Sequence, residues 1–386
     1  MPSSTSSSDR PGSGSRLPPV KPQAGELPSH ETPVADPPIR TLPQRPLAGV
    51  WLLALLVFAG TLLGWELYWR GQGFETGYRN SEGLWAIQRR RVDQGEGDAL
   101  VLLGSSRVLF DVQLPVWERL TGERPIQLAL EGTSPLAALE DLAADEDFHG
   151  RVLVGVSPDL FFSGFEYRGQ VLAHYRNQTP AQRSGQWLSM HLLEPWLAYY
   201  SDDDSALFTV LERQPWPPRD GVMSFKPVRK LAVHEIDRNT RMWRRVETDP
   251  QYRALARSIW AQRFDAPPPP PMATPELAKA VVLRQIQRAA AAVATLRGRG
   301  VPVVFLRPPS GGRYLAFEQR VMPRERTWDP LLAATGAPGV HFEDHPSMQG
   351  LELPEWSHLS AVDADRFTEA LVEILQRERR LQRPAQ

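Results

Sequence analysis

The feature that most constrains the fold of this chain is an uncharged apolar run over residues 47–65, which reads LAGVWLLALLVFAGTLLGW. As an α-helix its 19 residues would span about 28 Å, close to the thickness of the hydrocarbon core of a bilayer. Amphipathic aromatic rings, which favour the membrane interface, stand near its ends: Trp51, Trp65, Tyr68 and Trp69. We therefore predict a transmembrane helix over residues 47–69 that contacts the lipid bilayer.

Two other interpretations of this run fit less well. A signal peptide usually has a shorter apolar stretch and a small-residue cleavage site, whereas bulky side chains follow this run. A buried helix of a soluble domain seldom carries so long an uninterrupted apolar stretch. Residues 1–46 are rich in Pro and Ser and poor in large apolar side chains, which predicts a disordered tail.

Charge and composition exclude several kinds of protein. The 386 residues carry 44 Lys and Arg against 45 Asp and Glu, so the basic excess of a nucleic-acid-binding protein is missing. The chain has no cysteine, which excludes disulfides, thiolate metal sites and a cysteine nucleophile. Residues 341–345 (HFEDH) lack the spacing of a known metal site, and no glycine motif for a phosphate is present. We expect no metal and no cofactor.

After the predicted membrane helix, residues 72–386 alternate between short apolar runs and helical patterns. Five largely apolar runs predict buried strands: 99–103, 125–130, 151–156, 301–306 and 339–342. Because helical patterns separate these runs, we predict an α/β fold with a parallel sheet covered on both faces. Residues 163–271 break this rhythm and predict a mainly helical insertion, which forms either a substrate groove or a docking surface.

A candidate nucleophile follows the first predicted strand. Ser106 stands in the sequence GSSR, at the carboxyl end of a strand, where open parallel sheets bind ligands. Far along the chain, Glu355 stands three residues before His358. A serine hydroxyl needs a histidine to take its proton and an acid to orient that histidine, so these residues form a candidate catalytic triad. The alternative is that Ser106 caps the next helix and Glu355 is solvated.

Other residues at the same predicted sheet edge are candidates for binding. Gly132 follows the second strand and can bring a backbone N–H close to a developing oxyanion, unless it forms only a plain turn. Four side chains can hold a carboxylate, a phosphate or a sugar: Arg107, Arg307, Arg313 and Tyr314. Solvated arginines in a loop rich in Pro and Gly are the alternative.

These pieces together resemble the SGNH (GDSL-like) hydrolase superfamily over about residues 97–162 and 300–378. GSSR at 104–107 stands where the family has its Gly-Asp-Ser turn, and Gly132 matches the second-block glycine. The last block, Asp-x-x-His, matches residues 355–358 with Glu in place of Asp. The resemblance implies a flavodoxin-like three-layer α/β/α sandwich with a parallel sheet.

The resemblance also implies roles for the candidate residues. Ser106 would be the nucleophile, His358 the base and then the acid, and Glu355 the residue that orients His358. The backbone N–H groups of Ser106 and Gly132 would hold the oxyanion. The third block departs from the family, because Ser157 stands where an asparagine normally donates to the oxyanion. Losing one such donor costs about 10²- to 10³-fold in rate.

The layout is similar to that of membrane-tethered bacterial members that accompany membrane-bound O-acyltransferases in modifying envelope polysaccharides. This similarity implies a single-pass protein of the inner membrane with a periplasmic domain, an O-acyltransferase partner, and an acylated, in particular acetylated, carbohydrate substrate. We expect a serine ester hydrolase or O-acetyltransferase. A non-catalytic binding or assembly module on the same fold is the alternative, favoured by the missing asparagine, and a lipase-like enzyme is a third.

Overall fold

The computed structural model describes residues 47–201, 203–214, 217 and 226–381. The chain divides into two compact units, residues 1–55 and 56–386, and the site described below lies within the second. The predicted disordered tail over residues 1–46 lies outside the described residues.

A long apolar helix, α1, runs over Ala48–Gly71. Its most apolar stretch has a mean hydropathy of 2.0, and none of that stretch is buried against protein. By length and composition α1 can therefore span a membrane. The helix begins one residue later and ends two residues later than the predicted helix over residues 47–69.

Seven strands lie in the described part of the chain, in two sheets. They are β1 (Leu100–Leu103), β2 (Ile126–Gln127), β3 (Arg151–Gly155), β4 (Ala232–His234), β5 (Thr240–Met242), β6 (Val303–Arg307) and β7 (Gly339–His341). Five of them form a parallel sheet in the order β2-β1-β3-β6-β7, whereas β4 and β5 pair antiparallel in a separate ribbon. The predicted α/β class with a parallel sheet is confirmed, and all five sheet strands fall on predicted strands.

Helices follow or separate these strands. They are α2 (Glu82–Asp93), α3 (Ser106–Asp111), α4 (Leu114–Thr121), α5 (Leu136–Ala144), α6 (Pro158–Phe161), α7 (Val171–Asn177), α8 (Pro180–Leu188), α9 (Leu207–Glu212), α10 (Arg244–Thr248), α11 (Pro250–Ala261), α12 (Pro275–Gly298), α13 (Gly312–Val321), α14 (Trp328–Thr335) and α15 (Ala361–Arg377). A π-helical turn, Ser189–Leu193, continues α8.

Apolar side chains cover both faces of the parallel sheet. Successive residues of a strand point to opposite faces, so Leu100 and Leu102 enter one core while Val101 and Leu103 enter the other. Helices α3, α4 and α15 contribute to the first core, and α5, α12 and α14 contribute to the second. A strand buried on both faces must be apolar throughout, which explains why these strands were recognisable as continuous runs.

The predicted insertion over residues 163–271 contains helices α7 to α11, but it also contains the β4–β5 ribbon, which the sequence did not predict. Each strand of the ribbon has only three residues, too few for an alternating pattern to stand out. The turn of the ribbon carries Arg238, which is buried and donates hydrogen bonds to the carbonyl oxygens of Gln127 (2.8 Å) and Ala129 (2.7 Å). The ribbon therefore covers the edge of the parallel sheet at β2.

Candidate active site

Ser106 lies at the carboxyl end of β1, where α3 begins. Ser105 caps this helix, because its hydroxyl accepts a hydrogen bond from the amide of Arg107. The turn requires a glycine at 104, since a β-carbon there would lie 2.4 Å from the Cγ2 atom of Val108. Because β1 lies between β2 and β3, the turn also falls where the strand order reverses, the place at which open α/β sheets bind ligands.

The structure brings Ser106 and His358 together, although 252 residues separate them. The Nε2 atom of His358 lies 2.8 Å from the Oγ atom of Ser106. Its Nδ1 atom lies 2.7 Å from the Oε1 atom of Glu355. His358 is 1% exposed and Glu355 is fully buried, whereas Ser106 is partly exposed. The three predicted triad residues therefore form one hydrogen-bonded chain that ends at an accessible hydroxyl.

The carboxylate of Glu355 determines the tautomer of His358. A carboxylate only accepts hydrogen bonds, so the Nδ1 atom carries the proton and Nε2 is free to accept the hydroxyl proton of Ser106. Oε1 also accepts the backbone amide of His358 at 2.7 Å, and Oε2 accepts the indole N–H of Trp260. Three donors thus satisfy a carboxylate that is wholly removed from water.

Sequence reasoning missed three residues that support the triad. Trp260 of α11 binds Glu355, and the ring of Phe110 stacks on the imidazole of His358 with 4.1 Å between centroids. Asp111 accepts a hydrogen bond from the amide of Leu359 at 3.0 Å. Phe110 and Asp111 follow Ser106 on α3, so their closeness to Ser106 in the sequence could have indicated a position near the site. Nothing local marks Trp260, because only the fold places it beside Glu355.

The loop that carries Glu355 and His358 is strained. Trp356 between them has a φ of 76°, a left-handed conformation that is costly for a bulky side chain. Its carbonyl oxygen accepts a hydrogen bond from the amide of Gly311 at 2.8 Å. A β-carbon at position 312 would lie 2.6 Å from the Trp356 ring, so the neighbouring loop is shaped around this indole. Such strain is typical of functional loops.

Backbone amides near Ser106 are available to an oxyanion. Gly132 follows β2 with a φ of 57°, a conformation that favours glycine. In the described part of the chain no protein group accepts a hydrogen bond from the amide of Ser106 or of Gly132. Both residues line the cavity described below. Their role as oxyanion donors stays a prediction.

Ser157, which stands where the resembling family has an asparagine, also lines the cavity. Its hydroxyl oxygen lies 2.5 Å from that of Ser105, and either group can be the donor. Two hydroxyls that share one hydrogen bond leave one hydroxyl hydrogen over. If Ser105 donates, the hydrogen of Ser157 is not used in this bond and can be donated to an oxyanion.

A cavity of about 730 Å³ opens onto Ser106 and His358. This volume lies within the range of sites that bind small molecules. The insertion forms much of its wall, through residues 165–168, 226–232 and 259–263. Aromatic rings and cations line this wall, among them Phe165, Tyr167, Arg168, Trp260 and Arg263. The arrangement suits a polar ligand with an apolar ring face.

The four predicted substrate-binding side chains do not all reach this cavity. Arg107 and Tyr314 line it, but both are buried, and the guanidinium of Arg107 lies 2.8 Å from Glu318. Arg307 pairs with the other oxygen of Glu318 at 2.8 Å and does not line the cavity. Arg313 is exposed and lies 3.5 Å from Asp265. The structure therefore does not bring Arg307 or Arg313 to this cavity, because Arg307 is held in a buried ion pair and Arg313 points to solvent beside another loop.

Beneath the cavity lies a cluster of buried charges. Burial alone would raise the pKa of Glu318, but the charges of Arg107 and Arg307 lower it below its ordinary value. Burial, and then the negative charge of Glu318, raise the pKa of Asp159. The hydroxyl of Tyr314 donates to Asp159 at 2.9 Å. Arg107 directly follows Ser106, so this cluster holds the N-terminal end of α3 in place.

This geometry can transfer an acyl group. It combines a serine hydroxyl, a base that can accept its proton, an acid that orients the base, and free amides beside a cavity. No protein-family model matches the chain, and no curated protein matches it.

Proposed function

We propose that this chain is a membrane-anchored serine ester hydrolase or O-acyltransferase. The observation that carries the proposal is the hydrogen-bonded chain from Ser106 through His358 to Glu355, which the fold assembles at the mouth of a cavity. Each of its members has a role that acyl transfer requires.

In the first half of the reaction, the Oγ atom of Ser106 attacks the carbonyl carbon of an acyl ester while Nε2 of His358 takes the hydroxyl proton. The amides of Ser106 and Gly132 donate to the oxyanion that forms. His358 then passes the proton to the departing alkoxide, and an acyl-serine remains. In the second half, His358 takes a proton from water or from a sugar hydroxyl while the oxygen of that group attacks the acyl-serine. His358 then returns the proton to the Oγ atom of Ser106 as the bond from Oγ to the acyl carbon breaks, and a carboxylic acid or an acylated sugar leaves.

The topology supports membership of the SGNH (GDSL-like) superfamily. Counted along the chain, the five parallel strands take the spatial order 2-1-3-4-5, which is the flavodoxin-like order, with helices on both faces. The serine follows the first strand, and the acid and histidine precede the last helix. This arrangement matches the family's three-layer α/β/α sandwich.

The substrate that we propose is an acyl, in particular acetyl, ester of an envelope carbohydrate. A cavity of about 730 Å³ holds a sugar-sized group, and rings such as Tyr167 with cations such as Arg168 can stack on and hydrogen-bond to a sugar. In keeping with the layout of the membrane-tethered members of that family, we propose a periplasmic domain with α1 in the inner membrane. That layout also suggests a membrane-bound O-acyltransferase as the partner.

Hydrolysis of a small acetyl ester by the full chain in detergent tests this proposal. Ser106→Ala should lower kcat/KM by about 10³-fold or more, because the variant has no nucleophile for the acyl group. Ser347→Ala, which removes an exposed hydroxyl, is the matched control and should leave kcat/KM unchanged. Equal turnover by wild type and Ser106→Ala would contradict the proposal.

A further inference from the structure

An exposed apolar surface lies on the end of α8 and the turn that follows it. We call it the 187–196 surface, and it consists of Trp187, Leu188, Leu192, Leu193 and Trp196. Trp196 is 68% exposed and Leu192 is 59% exposed. On the other side of the same segment, Met190 and Glu194 are buried against the domain. A contiguous apolar surface of this kind marks an interaction site.

The last turns of α1 are fastened beside this surface. Glu66, the only buried residue of α1, accepts hydrogen bonds from the amides of Ala198 (2.9 Å) and Tyr199 (3.2 Å). One turn later, the guanidinium of Arg70 donates to the carbonyl oxygen of Trp196 at 3.0 Å. Residues 196–199 are thus held along the final turns of the apolar helix.

These contacts fix where a bilayer would meet the domain. The uncharged run of α1 ends at Trp65, and Glu66 is its first charged residue, so the boundary between hydrocarbon and headgroups falls there. Arg70 lies about 6 Å further along the helix, within the headgroup region. Trp196, which Arg70 binds, must therefore lie at the level of the interface, where indole rings are favoured.

We propose that the 187–196 surface is a second membrane contact, which inserts its side chains into the bilayer interface beside α1. The proposal rests on the membrane anchoring included in the proposed function. Leucine and tryptophan side chains on one side of a short helical segment, with its other side buried in protein, are typical of an interfacial anchor.

This contact would set the active site at the membrane surface. Glu194, within the segment, accepts a hydrogen bond from the amide of Arg79 at 3.0 Å, and Arg79 lines the cavity. Ser201 and Asp203, which follow the segment, line the cavity as well. With two attachments instead of one, the domain cannot swing about α1, and the cavity faces substrates held near the bilayer.

Single-cysteine labelling tests the proposal cleanly, because the chain has no cysteine of its own. Four full-length variants would carry an environment-sensitive fluorophore in vesicles of phosphatidylethanolamine and phosphatidylglycerol: L63C, L192C, W196C and L283C. Leu63 lies in α1 and reports the anchor itself. Leu283 is 45% exposed on α12, a helix that forms no part of the 187–196 surface, and is the matched control for Leu192.

We expect a lipid-borne nitroxide to quench the labels at 63, 192 and 196 severalfold more than the label at 283. A water-soluble quencher should show the reverse order. The second contact would be overturned if the labels at 192 and 196 behave like the label at 283 while the label at 63 is quenched from the lipid. The membrane anchor would then stand, and a membrane protein would remain as the partner of the surface. A label at 63 that is open to water would overturn the anchor and this proposal together.

Ester hydrolysis is a separate readout in the same samples. Turnover of a soluble acetyl ester should be the same in L192C, W196C and wild type, because none of these changes touches the triad. If the labels at 192 and 196 are quenched from water and not from the lipid while the ester is still hydrolysed, the membrane contact alone is contradicted. If these labels are quenched from the lipid but the wild-type protein does not hydrolyse the ester, the catalytic proposal alone is contradicted.

Discussion

At the scale of single residues, Glu355 joins two distant parts of the site. One oxygen binds the imidazole and the amide of His358, and the other binds the indole of Trp260 in the insertion. Because the carboxylate is fully buried, each of these donors replaces a hydrogen bond to water. In the SGNH superfamily, which the sequence resembles, an Asp stands at this position; Glu355 has a longer side chain, and its Oε2 atom reaches Trp260 on α11.

The amide substitution Glu355→Gln should nearly abolish activity. It removes the negative charge that stabilises the imidazolium formed when His358 takes the proton of Ser106. Its NH₂ group also faces a donor in either orientation, the amide of His358 at the Oε1 position or the indole of Trp260 at the Oε2 position. We expect kcat to fall by about 10³- to 10⁴-fold in the acetyl ester assay. Glu352→Gln changes an exposed acid of the same loop and should behave like wild type. A Glu355→Gln variant with near-normal kcat would contradict the assigned role.

His341, which sequence reasoning considered only as part of a metal motif, is instead a buried neutral group. Burial, and then the charges of Arg307 and Arg324, lower its pKa to about 3. Its Nδ1 atom accepts a hydrogen bond from the amide of Glu343, which requires the unprotonated nitrogen. In the unfolded chain the imidazole binds a proton near pH 6.5. The unfolded state therefore holds more protons between these two pH values, and stability falls as the pH falls.

His341→Asn should make the protein less sensitive to acid. The variant should be less stable than wild type at pH 7, and this difference should shrink at pH 4.5, by at most about 1.4 kcal/mol per pH unit below 6.5. Urea denaturation of the full chain in detergent, followed by tryptophan fluorescence, measures it. His149→Asn is the control, because folding leaves that side chain exposed to water. A difference for His341→Asn that grows on acidification would contradict this account.

At the scale of helices and strands, the parallel sheet was predictable because both its faces are buried. Strand β1 is apolar at every position and β6 is apolar up to its last residue, Arg307, and such runs are visible without knowledge of their partners. Strand β2 is shorter than the predicted run of 125–130, since regular pairing ends at Gln127. Beyond it, the amides of Leu128 and Leu130 still bond to β1 residues or the turn after them, so the chain stays extended.

The β4–β5 ribbon was not predictable, because its role depends on a contact across the fold. Arg238 at its turn has a φ of 68° and donates to two carbonyl oxygens at the edge of the sheet, those of Gln127 and Ala129. It also donates to the side-chain oxygen of Asn80. No local pattern tells a buried arginine of this kind from an exposed one.

Arg238→Ala should destabilise the domain much more than the substitution of a neighbouring arginine by alanine. It leaves two buried carbonyl oxygens without these donors, and each lost partner costs about 1–3 kcal/mol. We expect the free energy of unfolding to fall by about 2–4 kcal/mol in urea denaturation. Arg241→Ala, on the same ribbon, breaks a partly exposed pair with Asp365 and should cost less than about 1 kcal/mol. Equal effects of the two substitutions would contradict the edge-covering role.

At the scale of the whole molecule, sequence reasoning predicted three residues that the fold brings together, but not the cavity and the hydrogen bonds that surround them. Ser106, Glu355 and His358 were recognisable because each stands beside a strand end or a helix start in a pattern that resembles a known family. The insertion was recognisable only as a break in the rhythm. Its contribution, a cavity wall and a hydrogen bond from Trp260 to Glu355, depends on how the chain returns to the sheet edge.

The same dependence explains why Arg307 and Arg313, which the sequence predicts to bind substrate, do not line the cavity. Arg307 ends β6, at the predicted edge, but Glu318 on α13 lies within reach and captures it. A single sequence shows that both residues exist, but only the packing of α13 against the sheet shows that they pair. Arg107 enters the same ion pair from the other side, so the cluster joins the nucleophile helix to β6 and α13.

The central claim is that the fold activates Ser106, and covalent labelling of the full chain with a fluorophosphonate probe tests it most directly. Intact mass and peptide mapping would locate the adduct in wild type, Ser106→Ala and His358→Ala. The account predicts one adduct, on Ser106, that disappears in both variants. The claim would be contradicted if the wild-type protein forms no adduct and binds a small acetyl ester without hydrolysing it. That result would favour a binding module instead.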